Sequence, residues 1–181
     1  MKVCVYAICK NESQFVDRFM DSMSEADYVC VLDTGSSDDT VKKLRARGAI
    51  VGETVVSPWR FDTARNESLG LIPADADICC AIDLDEQFHP GWRAALERAW
   101  QPDTTRARYR YTWSFRPDGS EGMVFWADKI HKNGCYRWAS PVHETLAYTG
   151  EGAERFVDAA GVQLDHHPDE TKSRGQYLPL L

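Results

Sequence analysis

Apolar runs alternate with stretches at helical spacing over the first ninety residues. Val3 to Cys9 is nearly all apolar, the pattern of a strand covered on both faces. "KNESQFVDRFMDSM" follows. It carries Phe15, Val16, Phe19, Met20 and Met23 at helical spacing, with Asn11 and Gln14 spaced as a capping box. A second apolar run, Tyr28 to Leu32, ends at Asp33. After "TGSSDDT", Val41 and Leu44 mark a helix stopped by Gly48, with Ser36 or Ser37 as its cap and acids in its first turn. A third apolar run covers Ala49 to Val56, a helix is expected around residues 62 to 71 before Pro73, and a strand is expected at Ile78 to Ile82. That last run leads straight into Asp83-Leu84-Asp85-Glu86.

This rhythm predicts an α/β domain with a mainly parallel sheet flanked by helices. In such sheets ligands bind at the carboxyl ends of the strands. Asn11 and Glu12, Asp33 to Ser37, and Asp83 to Glu86 all sit at those ends, so three distant segments should meet in one crevice. The second half reads differently. In "RARYRYTWSFRPDGS", Tyr109, Tyr111, Trp113 and Phe115 alternate with Arg108, Arg110, Thr112 and Ser114, which predicts a strand with an apolar core face. Pro117-Asp118-Gly119 is a turn, and "MVFWADKIHK" returns as an antiparallel partner. Past residue 135 the pattern is irregular.

The length, 181 residues, fits one domain, with a first half (1–100), a second half (101–165) of different character and a C-terminal tail (166–181). The tail ends on apolar Leu178-Pro179-Leu180-Leu181, as if cut from a longer chain or in need of a partner surface. A net charge of -7 argues against a phosphate-backbone binder. The first apolar run is too short for a signal core or a membrane span. The six cysteines form no C-x-x-C pair and sit mostly in apolar runs, which points to free thiols in a reducing cytoplasm.

Three carboxylates within four positions repel one another, and the usual reason for such a cluster is a cation. In an extended segment Asp83 and Asp85 project to one side, roughly 7 Å apart. One can hold a ribose hydroxyl while the other ligates Mg²⁺ or Mn²⁺, whose shell is completed by phosphate oxygens and water. "LDTGSSDDT" is a poor phosphate cradle because Asp38 and Asp39 would repel the anion. Asp33 suits a base or ribose contact instead.

"ICKNE", "VLDTGSSDDT", "FDTARNESL" and "CAIDLDEQF", in this order and spacing, resemble the nucleotide-diphospho-sugar domain of family 2 glycosyltransferases, the Rossmann-like GT-A fold. "RWASPVHETL" and "DHHPDETKSRGQYLPLL" are similar to the end of that domain in members that continue into a helical, repeat-like region. The resemblance implies a metal-dependent, inverting transfer from a nucleotide-diphosphate sugar, a UDP-sugar above all, to an unspecified acceptor. It implies that Glu12 and Asp33 lie against the base and ribose, that Arg65 approaches the base or diphosphate, and that Asp83 and Asp85 form the Asp-x-Asp (DXD) motif. Many members have a second acid where this chain has Thr34.

An inverting transfer also needs a base, for which Glu144 is the candidate. His143 is the first candidate to complete the metal shell with Asp85, and His166 and His167 are rivals. Lys172 and Arg174 are candidates to close over the diphosphate. Trp59 and Trp138 are better placed to line the crevice than the aromatic strand, which reads as core. Two alternatives stay open: a non-catalytic nucleotide-sugar-binding module and a nucleotidyltransferase. The second lacks its Gly-rich basic loop, since the chain has "KNES" after the first strand.

Overall fold

The computed structural model describes residues 1–169. An eight-stranded sheet forms its centre, in the order β3-β2-β1-β4-β7-β6-β10-β5. The strands are β1 (Val3–Cys9), β2 (Tyr28–Asp33), β3 (Ile50–Glu53), β4 (Ile78–Ala81), β5 (Glu86–Phe88), β6 (Arg106–Thr112), β7 (Val124–Lys132) and β10 (Phe156–His166). β8 (Tyr136–Ala139) and β9 (Thr145–Tyr148) form a separate antiparallel pair. The helices are α1 (Val16–Ser22), α2 (Thr40–Ala46), α3 (Phe61–Leu69) and α4 (Trp92–Ala99).

β1 to β4 are mutually parallel, and β1 lies between β2 and β4. That is a reversal of strand order, the place where α/β sheets open a ligand crevice. β7 runs antiparallel to β6, as the return pattern predicted, and also to β4. β10 is parallel to β6, and β5 is antiparallel to β10.

β1 is apolar throughout because both its faces are covered. Val3, Val5, Ala7 and Cys9 join one core with Phe19 and Met20 of α1, Leu44 of α2 and Leu96 of α4. Cys4 and Tyr6 face the other core with Cys30, Cys79, Trp138 and Leu146. Period two thus sends alternate residues to opposite layers. All six cysteines are free, and the described residues include no helix long and apolar enough to cross a membrane.

Several elements depart from the sequence expectation. The Asn11–Gln14 capping box is absent, because Asn11 takes a left-handed conformation (φ 53°) and α1 starts only at Val16. Neither Ser36 nor Ser37 caps α2, and its first turn holds no acid. Asp38 instead accepts the Thr40 N–H at 3.0 Å. β3 stops at Glu53, well short of Val56, and α3 covers Phe61 to Leu69. β6 ends at Thr112, so Tyr109 and Tyr111 are core while Trp113 and Phe115 are exposed.

The tract past residue 135 is not irregular: it holds three strands. β10 hid from pattern reading because its ladder to β6 shifts register between Asp158 and Gln163, which breaks the alternation. Within that shift Gly161 passes α4 so closely that a Cβ would sit 3.0 Å from the Ala95 Cβ.

Candidate active site

The crevice walls are two loops joined side chain to backbone. Asp33 ends β2 almost fully buried, and its Oδ1 accepts the N–H groups of Gly35 (2.9 Å) and Ser36 (2.8 Å). Its Oδ2 accepts the Ser36 hydroxyl. A buried carboxylate needs such partners, and Gly35 supplies the positive φ (108°) that lets the chain wrap around it. The loop after β1 is tied to this one. Asn11 Oδ1 accepts the Ser37 N–H, the Asn11 N–H goes to Ser36 Oγ, and the Glu12 N–H goes to Thr40 Oγ1, each at 2.8 Å. Thr34 donates its hydroxyl to the Cys9 carbonyl at 3.0 Å. The Asp33 oxygens therefore hold the loop itself.

The acid cluster follows β4. The guanidinium of Arg65, only 3% exposed, joins two distant carboxylates: Nη2 donates to Asp83 Oδ1 at 2.6 Å and Nε to Glu144 Oε1 at 3.1 Å. Its plane lies over Trp138, 5.4 Å from the ring centre. Arg65 Nη1 is buried without a hydrogen-bond partner among the described residues. Trp138 is itself 1% exposed, so it underlies the site and does not line it. Trp59 is half-buried, edge-on to Phe61.

Lys129 of β7 brings a second cation, with Nζ 3.8 Å from Asp83 Oδ2. Burial opposes ionisation of Asp83, but Arg65 and Lys129 overcome it and hold the carboxyl at about 2. Glu86 is buried and anchors the turn. It accepts the Asp83 N–H at 2.8 Å and the Tyr111 hydroxyl at 2.5 Å. Burial, reinforced by Asp83, pushes the Glu86 carboxyl up. No sequence signal marked Lys129 or the Tyr111–Glu86 bond. Lys129 depends on the register of β7 with β4, where Ile130 meets Cys80, and the Tyr111–Glu86 bond on β10, which pairs Leu164 with Tyr111 and His166 with Glu86.

Asp85 points elsewhere. Its Oδ2 lies 3.3 Å from Nε2 of His166, the last residue of β10. His166 Nδ1 is 3.0 Å from the Trp113 carbonyl, and the Trp113 ring stacks on the imidazole at 4.4 Å. With Nδ1–H donated to that carbonyl, Nε2 is directed at Asp85, whose carboxylate favours a proton there that a bound cation would replace, the arrangement that orients metal-binding histidines. His167 donates its backbone N–H to the Asp85 carbonyl at 2.8 Å while its ring stacks on Phe115. His143 is exposed, at φ 55°. Among the three candidate histidines, the structure sets His166 against the Asp85 carboxylate. Among the described residues no group of three or more His, Cys, Asp or Glu could hold a metal, so Asp85 and His166 stand as a pair. Lys172 and Arg174 lie outside the described residues. A cavity of about 410 Å³, lined by residues including Asp77 and Lys132, lies at the opposite, amino ends of the parallel strands.

No family model matches the chain. It is similar to solved structures of glucosyl-3-phosphoglycerate synthase from Mycobacterium tuberculosis. One is a complex with Mn²⁺, UDP and glucosyl-3-phosphoglycerate, another holds Mn²⁺ and UDP-glucose, and a third holds Mg²⁺ and UDP. Identity is 26% and the TM-score 0.50, over 61% of this chain. The fold is GT-A. The chain spans 44% of the first of those structures and 43% of the other two, less than half their length. Within this GT-A sheet the acid cluster ends β4, beside the strand-order reversal, and Asp85 faces His166 from β10.

Proposed function

We propose that this chain transfers a sugar from a nucleotide-diphosphate donor, a UDP-sugar in the first instance, using Mn²⁺ or Mg²⁺ held by Asp85 and His166. The observation that carries the reading is the Asp85–His166 pair at the crevice end of a GT-A sheet. One carboxylate and one oriented imidazole suit such a cation, which takes its remaining ligands from phosphate oxygens and water. Mn²⁺ and UDP in the similar synthase support it. When bound, the cation neutralises charge on the departing diphosphate. Asp83, kept ionised by Arg65 and Lys129, is suited to a donor hydroxyl. Arg65 fixes Asp83 and Glu144 relative to one another, and Glu86 holds the turn that carries both aspartates.

The finer reading is inversion at the anomeric carbon, within the family 2 branch and in a reducing cytoplasm. Glu144 takes the acceptor proton. Glu144→Gln is then expected to lower transfer by about 10²-fold or more with UDP affinity unchanged, and NMR of the product should show inverted anomeric configuration. A retained configuration would leave Glu144 as the ionic partner of Arg65 alone.

Thermal denaturation tests the main reading. UDP should raise the melting temperature only with Mn²⁺ or Mg²⁺, corresponding to about 2.7 kcal/mol at a hundredfold excess over Kd. Asp85→Asn and His166→Ala should each remove the metal-dependent part. Absence of any metal-dependent shift with UDP or GDP sinks the proposal.

A further inference from the structure

Beyond Thr112 and before Val124 the β6–β7 hairpin continues as a ladder. Trp113 N–H meets the Met123 carbonyl, Gly122 N–H meets Ser114, and Arg116 N–H meets Ser120. Among the described residues ten large hydrophobic side chains are exposed, and six of them belong to this hairpin: Trp113, Phe115, Met123, Val124, Phe125 and Trp126. Such a concentration marks an interaction surface, because scattered single exposures are the norm.

Two features say what covers it. The first is continuity with the candidate site, since the Trp113 ring stacks on His166, which faces Asp85. The second is a strand edge. β4 pairs with β7 only at Ile130 to Lys132, so Val124–Ala127 has β6 on one side and, among the described residues, no strand on the other. That edge extends the line of β4 past the acid cluster, where Lys129 reaches Asp83. Unpaired strand edges are templates for an added strand, with side-chain pockets giving specificity. Charge disfavours an anionic lipid or phosphate-rich occupant. From 113 to 126 the sequence has one basic residue, Arg116, against Asp118 and Glu121, and a membrane-directed surface needs a basic cluster.

We propose that this hairpin docks the acceptor as an extended polypeptide segment with apolar side chains, added as a strand along the outer edge of Val124–Ala127. It rests on the glycosyl-transfer reading, because the docked segment would lie beside the proposed donor site.

A displayed library of random ten-residue peptides, selected against the full chain with Mn²⁺ and UDP, tests it. Alternating apolar sequences should be enriched. A selected peptide should bind Trp126→Lys and Met123→Lys at least tenfold more weakly, and should slow hydrogen exchange at the Val124 and Trp126 amides. Both positions are exposed, so both variants should keep the wild-type UDP–Mn²⁺ thermal shift. No enrichment, or binding that ignores both variants, overturns the proposal. So does binding of neutral phosphatidylcholine vesicles in place of peptides, which assigns the patch to lipid. Concentration-dependent self-association abolished by Trp126→Lys assigns it to a second copy and overturns it equally. The thermal shift of the wild type is read separately, so failure of the donor reading is not confused with failure of this one.

Discussion

Arg65 is the side chain on which most of the site geometry depends. Its rigid planar fork serves two carboxylates from separate nitrogens, Nε and Nη2, a spread that a compact ammonium does not reproduce. Arg65→Lys should therefore loosen Glu144 or Asp83. Removing a partner from a fully buried pair costs about 3–5 kcal/mol, and Asp83 is one-third exposed, so a loss of about 2–3 kcal/mol is expected by urea denaturation. An unchanged midpoint would mean that a lysine ammonium holds the two carboxylates equally well. The sequence marked Arg65 as a ligand contact; in the structure it is buried and bonded to Asp83 and Glu144. Asp33, at the end of β2, likewise accepts bonds from Gly35 and Ser36 in the loop that follows it. Motif position marked both residues, and burial and bonding show what each one holds within the protein.

At the scale of elements, a buried relay ties three strands together. Trp138 of β8 donates its indole N–H to the Tyr6 hydroxyl at 3.0 Å, and Tyr6 of β1 lies 2.8 Å from His131 Nε2 on β7. His131 Nδ1 lies 3.1 Å from the Lys132 carbonyl. With Nδ1 protonated and donating to that carbonyl, Nε2 accepts from Tyr6, so the relay requires a neutral imidazole. Burial, aided by Arg106, lowers the His131 pKa from 6.5 to about 4, although the Lys132 carbonyl opposes it. The unfolded chain takes up this proton first as pH falls. The contribution is complete above pH 6.5 and is lost between 6.5 and 4, about 3 kcal/mol in all. Stability measured across that window should show the slope, and His131→Gln should flatten it. A wild-type slope persisting in the variant would assign the acid sensitivity elsewhere. The same scale shows where pattern reading works. β1, β2 and β4 are legible because both faces are covered, whereas β5 is short and β10 has a broken register.

For the whole molecule, one sheet separates two hydrophobic layers, and strands from both halves of the sequence contribute to it. We propose that the described chain unfolds as one domain. Leu96→Ala in one layer and Leu146→Ala in the other should each cost about 2–5 kcal/mol, with effects additive to about 0.5 kcal/mol. Near- and far-ultraviolet circular dichroism should then give coincident transitions. Separate transitions would divide the chain into two units.

The sequence by itself determined the α/β rhythm, the parallel strands at β1, β2 and β4, and the placing of Asp33, Asp83 and Asp85 at their carboxyl ends. Those are local properties, set by the periodicity of side chains and the polarity of the residue that ends each run. Only the tertiary structure decided that His166 meets Asp85, that Lys129 and Arg65 flank Asp83, that Glu86 is an anchor bonded to Tyr111, and that Trp113 leaves the core. Each of these is a pairing between segments far apart in the chain. It is fixed by strand register and by the layers that close over the sheet, and neither is written in any single stretch of residues.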